Sequence, residues 1–207
     1  MSIEFNYILP SWLLQYIREK KALRMWKERG CLENAPQFIK ENIFLKYGIT
    51  GAKWIETGTY LGTTTSFLEK NFDEVFSIEP STKLFNRATR IFKKRRIKLF
   101  NDFSETIFPI LLPQLSGNIN FWLDGHYSAG ITEKGIKECP VEDELSAIAE
   151  NLSRFKRVTI LIDDVRCFLQ NDPAYSDYPS LDYLVDWARK NQFKWCIEQD
   201  IFIMRNF

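Results

Sequence analysis

Glu56, Gly58 and Gly62 stand in the run Trp54-Ile-Glu-Thr-Gly-Thr-Tyr-Leu-Gly62, where an apolar strand pattern gives way to a helical one. Gly58 can take a backbone conformation closed to other residues, and Gly62 lets the next helix approach the strand, so a ligand can lie against bare main chain. A second acid, Glu79, closes the apolar run Val75-Phe-Ser-Ile78 about twenty residues on, the spacing at which an acidic side chain receives a ribose in nucleotide-binding α/β folds. Three more carboxylates end strand-like runs: Asp124 after Ile119 to Leu123, and Asp163 with Asp164 after Val158 to Ile162. On adjacent strands they meet at one rim. There they repel one another unless protons or a cation neutralise them, and an all-carboxylate set suits a hard ion such as Mg²⁺. The chain's single histidine, His126, follows Asp124 by two residues, and an imidazole accepts a proton near neutrality.

The glycine spacing separates cofactor classes. A dinucleotide loop reads G-x-G-x-x-G and seats a pyrophosphate on the helix N-terminus, whereas Glu56-x-Gly58-x-x-x-Gly62 lacks the middle glycine. This loop, with Glu79 after the next strand, resembles the first motif of the class I S-adenosylmethionine-dependent methyltransferases. The resemblance implies that Glu56, Thr57, Gly58, Gly62, Glu79, Asp102 and Asp124 contact S-adenosylmethionine, with Asp102 receiving the adenine amino group. The placing of Asp124, Asp163 and Asp164 is similar to that in metal-dependent O-methyltransferases of small molecules, including sugars of natural products and glycans. It implies that these three acids hold Mg²⁺ against neighbouring hydroxyls of the acceptor, and that His126 and Asp124 are catalytic, His126 taking the hydroxyl proton. The chain departs from that pattern in two places. Many members carry an acid where His126 stands, and the Pro-Gly turn that often precedes the fifth strand is replaced by Arg154-Phe-Lys-Arg157. Plainer roles remain for each residue: an exposed Glu56 at an ordinary turn, Asp102, Asp124 and Asp163 as turn or helix caps, and His126 bonded to the acid rim.

These side chains need a sheet whose strands end together. From Lys53 onward, apolar runs alternate with helical patterns: strands at Trp54 to Glu56, Val75 to Ile78, Ile97 to Phe100, Ile119 to Leu123 and Val158 to Ile162. Helices fall between them at Thr63 to Lys70, Thr82 to Phe92, Ser104 to Leu112 and Val141 to Leu152. Such alternation predicts a parallel sheet covered on both faces. After a helix at Leu181 to Lys190, the runs Phe193 to Ile197 and Ile201 to Met204 are too close for a helical crossover and predict an antiparallel hairpin. The expected fold is α/β: a Rossmann-like, seven-stranded, mostly parallel sheet over residues 51–207, with that hairpin at its C-terminus. Residues 1–50 form an N-terminal helical extension, with helices over 11–29 and 36–47, serving as a lid, a dimer surface or an extra core layer. The first helix offers Trp12, Leu13, Tyr16, Ile17, Leu23 and Trp26 to an apolar face.

Two loops at the carboxyl edge are candidates for substrate contact: Ser128 to Cys139, and Leu169 to Pro179 with Asp172, Tyr175, Asp177 and Tyr178. Pro140 suits the first turn of the helix that follows the former loop, and Glu142, Asp143 and Glu144 complement its dipole. The basic run Arg87 to Lys98 reads as a solvated helix end.

At 207 residues, with a formal charge of +1, the chain is long enough for one sizeable α/β core and carries no overall field that argues for nucleic acid or membrane. Its four cysteines show neither a C-x-x-C pair nor zinc spacing and suit a reducing, cytoplasmic setting. No run suits a signal peptide or a membrane span. The sequence therefore leads to methyl transfer onto a hydroxylated small molecule by a cytoplasmic protein, possible as a homo-oligomer. A nucleic-acid methyltransferase and a non-catalytic S-adenosylmethionine-binding protein are the alternatives.

Overall fold

Alternating apolar runs form the sheet and the longer periodic ones wrap it. The computed structural model describes residues 10–93, 95–125, 139–169 and 172–207. Helices α1 (Ser11–Glu28) and α2 (Gln37–Tyr47) precede β1 (Lys53–Thr57), α3 (Thr63–Asn71), β2 (Glu74–Ile78), α4 (Thr82–Ile91), β3 (Ile97–Phe100) and α5 (Ser104–Leu111). Then come β4 (Gly117–Leu123), α6 (Val141–Asn151), β5 (Phe155–Ile162), α7 (Leu181–Lys190), β6 (Lys194–Glu198) and β7 (Ile201–Arg205). The seven strands lie in the order β3-β2-β1-β4-β5-β7-β6. Strands β1 to β5 pair in parallel, and β7 is inserted antiparallel between β5 and β6. The chain moves outward from β1 to β3 on one side and from β4 to β5 on the other. Connections therefore diverge between β1 and β4, which opens a crevice at the carboxyl ends of these two strands.

Strand periodicity assigns the two faces. Ile55, Phe76, Phe121, Leu123, Ile160 and Phe202 pack with residues of α5, α6 and α7 in the larger buried cluster. Residues one position out of phase, Trp54, Val75, Trp122, Leu161 and Ile203, pack on the opposite face with Leu68 of α3 and with Ile43 and Phe44 of α2. Glu56, Asp124 and Asp163 each lie two positions beyond a residue of this second set, so their side chains continue the face that α2 covers.

The structure departs from sequence expectation in three elements. Strand β5 begins at Phe155, so Phe155-Lys-Arg157 belong to a strand; Lys156 and Arg157 are exposed and the register shifts beside Gly117, which hides the pattern. Only Trp26 of α1 is buried, while Trp12, Tyr16 and Ile17 are exposed. The hairpin turn is Gln199-Asp200 alone, with φ of 54° and 69°, the two left-handed residues of a type I′ turn whose twist matches the flanking strands. Among the described residues no helix is long and apolar enough to cross a membrane.

Candidate functional site

The loop after β1 is held to the end of β4. Gly58 has φ +84°, and a Cβ there would lie 2.4 Å from the Asp124 carbonyl oxygen, so only glycine lets the two strand ends approach this closely. Thr57 Oγ1 accepts the Asp124 backbone N–H at 3.2 Å, which commits this side chain to joining β1 and β4. Gly62, at φ +80°, leaves its space to the Phe92 ring at the end of α4, only 2.7 Å from the position of a Cβ. Between the glycines, Tyr60 is exposed and left-handed at φ 48°. A non-glycine residue in that region carries strain and is held there by its surroundings.

Two acids support this loop from behind. Glu79 is buried, and its carboxylate accepts the Tyr60 N–H at 2.7 Å and the Ser81 N–H at 2.9 Å, which fixes its orientation at the end of β2. Glu56 is fully buried; one oxygen accepts the Thr65 and Ser77 hydroxyls at 2.6 and 2.5 Å, and the other finds no partner among the described residues. Burial lifts its pKa to about 8 against the opposing pull of the two hydroxyls, so at neutral pH it is mainly protonated. Asp102 is part-buried and accepts the Phe103 N–H at 2.8 Å, while the N-cap of α5 is Phe103 itself. Asn101 ties β3 to the backbone carbonyls of Glu79 and Pro80 at 2.9 and 3.0 Å.

Asp124, Asp163 and Asp164 come together, each with a carboxylate oxygen within 4.8 Å of the others. The ammonium of Lys40, from α2, bonds Asp163 Oδ2 and lies 3.6 Å from Asp124 Oδ2. Asp164, at φ 58°, accepts Arg166 Nη1 at 2.7 Å; the same guanidinium bonds Asp200 of the hairpin turn and, at 2.5 Å, Asn34 Oδ1 ahead of α2. Burial alone would lower the pKa of Lys40, but the charges of Asp124, Asp163 and Asp164 and the bond to Asp163 raise it above the ordinary lysine value, so the amine stays protonated. Burial, then Asp124 and Asp164, push Asp163 well above the usual carboxylate range, with Lys40 acting in the opposite sense. Asp163 Oδ1 is buried without a partner among the described residues.

His126 and residues Ser128 to Glu138 of the first candidate substrate loop lie outside the described residues; Cys139 at its end is buried. In the second loop, Tyr178 is buried against Phe168, their ring centroids 5.3 Å apart, so it belongs to the core; Asp172 caps a turn by accepting the Ala174 N–H. Pro140 is the N-cap of α6, one residue ahead of its expected first turn, and Glu144 in that turn is buried. In the basic run, Arg95 bonds Ser66 and lies 3.6 Å from Glu69, and Lys98 pairs with Glu74 at 2.7 Å, so part of its charge is met within the protein.

Comparison with solved structures places this architecture. A methyltransferase from Geobacter sulfurreducens matches with a TM-score of 0.54 at 11% identity, over 97% of this chain and 98% of that one. The 23S rRNA methyltransferase ErmE matches at 0.51 and 14% identity, over 83% and 68% of the two chains. Mycolic acid cyclopropane synthase CmaA1, complexed with SAH and CTAB, matches at 0.50 and 12%, over 78% and 62%. The fold is that of class I methyltransferases. No family model matches the chain, and no curated protein matches it significantly.

On this methyltransferase fold, four polar groups at the rim escaped the sequence reading: Lys40, Arg166, Asp200 and Asn34. One signal for Lys40 was present. It shares a helical face with Ile43 and Phe44, three and four residues on, and a lysine in such an apolar stripe needs a buried acid. Arg166, two residues past Asp164, follows an acid pair and could have been read as its partner. Asp200 and Asn34 carry no local signal, because only the tertiary fold brings the hairpin turn and the α1–α2 loop to the rim.

Proposed function

We propose that the protein is an S-adenosylmethionine-dependent methyltransferase that methylates a hydroxyl of a small polyhydroxylated molecule. The observation that carries the reading is Glu79, fixed by the Tyr60 and Ser81 backbone amides at the end of β2, one strand from the switch point of a methyltransferase fold. An acceptor-only carboxylate held in this way beside a glycine loop suits the paired hydroxyls of a ribose. Glu56, fully buried behind the same loop and mainly protonated at neutral pH, would serve the cofactor by shaping that loop through the Thr65 and Ser77 hydroxyls. Glu56, Gly58, Gly62, Glu79, Asp102 and Asp124 are the proposed cofactor residues, with Thr57 fixing the β1–β4 junction. S-adenosylmethionine, when bound, supplies an electrophilic methyl group. The protein's part is to hold the acceptor oxygen in line with that group and to accept its proton, and such positioning accounts for much of the rate in reactions of this kind. Asp124, part-exposed at the end of β4, is proposed to orient the hydroxyl; His126 is proposed as proton acceptor from its place two residues beyond Asp124 in the sequence.

A divalent metal was the other expectation from the acid triad. The donor chemistry is suitable, but Lys40 and Arg166 already engage the three carboxylates, so the site as built does not fit an added ion and no step is assigned to one. Calorimetric titration with S-adenosylhomocysteine tests the proposal. One-site micromolar binding that is lost in Glu79→Ala is expected, and absence of binding by folded protein would remove the reading. An acceptor screen over nucleotide sugars, free sugars and phenols would then identify the hydroxyl.

A further inference from the structure

Two features from opposite ends of the chain are each unfavourable alone. Lys40 lies on the face of α2 that carries Ile43 and Phe44, and it is 8% exposed, in a position where a lone ammonium would lose its hydration without compensation. Asp124, Asp163 and Asp164 converge at the strand ends, where their charges repel one another. Together they resolve each other's cost. Lys40 meets Asp163 and Asp124, and Arg166 meets Asp164, so each acid of the triad has a cationic side chain against it. The lysine is also held from behind: its ammonium lies 5.4 Å from the centroid of the Trp122 ring, and Ile43 and Phe44 pin α2 to the sheet with 2% and 0% exposure. A divalent ion bridging Asp124 and Asp163 would stand within a few ångströms of this fixed ammonium, and the repulsion between the two cations in a buried setting opposes its uptake.

We infer that Lys40 is the site's own cation, standing where a divalent ion would bridge Asp124 and Asp163, and that the native protein therefore takes up no metal at this triad. The inference rests on the methyltransferase reading for the site's place in the chemistry, though the ion experiment does not depend on that reading.

Metal-stripped protein is titrated with Mn²⁺ alone and the signal of the free ion is followed by electron paramagnetic resonance. The native protein is expected to leave the signal undiminished. Lys40→Met is expected to bind Mn²⁺ more tightly by roughly tenfold or more, and Lys40→Met with Asp163→Asn is expected to lose that binding again. Native protein that sequesters Mn²⁺ as tightly as Lys40→Met, in a manner abolished by Asp163→Asn, would overturn the inference. So would a folded Lys40→Met that gains no site. Should that variant not fold, the native protein labelled with ¹⁵N-lysine supplies a second measurement: the buried Lys40 ammonium resonance is expected to be indifferent to millimolar Mg²⁺, and its displacement would count against the inference. Calorimetry with S-adenosylhomocysteine on the same sample separates the two claims. Cofactor binding together with native Mn²⁺ binding defeats the lysine inference alone, whereas no cofactor binding with Mn²⁺ gained only on Lys40→Met defeats the methyltransferase reading alone.

Discussion

Glu56 is a carboxyl group whose charge the protein suppresses. Its pKa is raised from 4.5 to about 8 by burial, so the unfolded chain releases this proton at lower pH than the folded one. The stability that Glu56 contributes is therefore complete below about pH 4.5 and is lost as pH rises through about 8. Glu56→Gln, which cannot ionise, is expected to flatten that dependence, raising stability relative to the native protein by a few kcal/mol at pH 8 and by little at pH 5. Urea midpoints of the two proteins at both pH values check it, and equal pH slopes would mean that Glu56 is ionised in the native fold. Gly58→Ala tests the neighbouring position. A left-handed φ and a Cβ at 2.4 Å from the Asp124 carbonyl should cost about 2–3 kcal/mol in denaturant unfolding and weaken S-adenosylhomocysteine binding, because the β1 and β4 ends must part.

Elements explain why some of this was legible before the structure. Apolar runs ending in Glu56, Glu79, Asp124 and Asp163 mark parallel strands buried on both faces, and an acid that follows such a run stands at its carboxyl end. The start of β5 was hidden because Lys156 and Arg157 are exposed beside a register shift, so no apolar run announces it. Lys40 was half-legible: its place in the apolar stripe with Ile43 and Phe44 calls for a buried acid, but only the sheet shows which acids meet it. Arg166 and Asp200 depend on the β6–β7 hairpin, whose turn carries one side chain, Gln199, ill suited to its backbone. Gln199 takes φ 54°, a region that asparagine adopts more readily. Gln199→Asn is expected to stabilise the protein by about 0.5–1 kcal/mol, read as a rise in thermal midpoint, whereas Asp200→Ala should lower it by freeing the Arg166 guanidinium from one of its carboxylates. A fall with Gln199→Asn would show that Gln199 has a contact more valuable than the backbone preference.

At the scale of the molecule, α2 and the loop ahead of it are proposed to be part of the site and core. Ile43 and Phe44 complete the cluster that contains Trp54, Trp122, Leu161 and Ile203, and burying each such side chain is worth roughly 1.5–3 kcal/mol. Lys40 reaches the acid rim directly, and Asn34 reaches it through the Arg166 guanidinium. A chain begun at Gly51 is therefore expected to aggregate or to run as a heterogeneous species in size-exclusion chromatography. A monodisperse truncated protein with an unchanged thermal midpoint would return these residues to a peripheral role.

Lys40 and Asp163 are separated by 123 residues, and Asn34 and Arg166 by 132. A ribosome adding about 5–20 residues per second leaves roughly 6–25 s between the two members of the first pair. Early in that interval only the first members of its cluster to emerge, such as Trp54, Leu68 and Val75, can cover α2; Asp124 and Trp122 come later, and Asp163, Leu161 and Ile203 last. The rim is thus among the last parts of the protein able to form during synthesis, and the nascent chain carries a partly covered helix that invites chaperone capture until β5 and the terminal hairpin emerge.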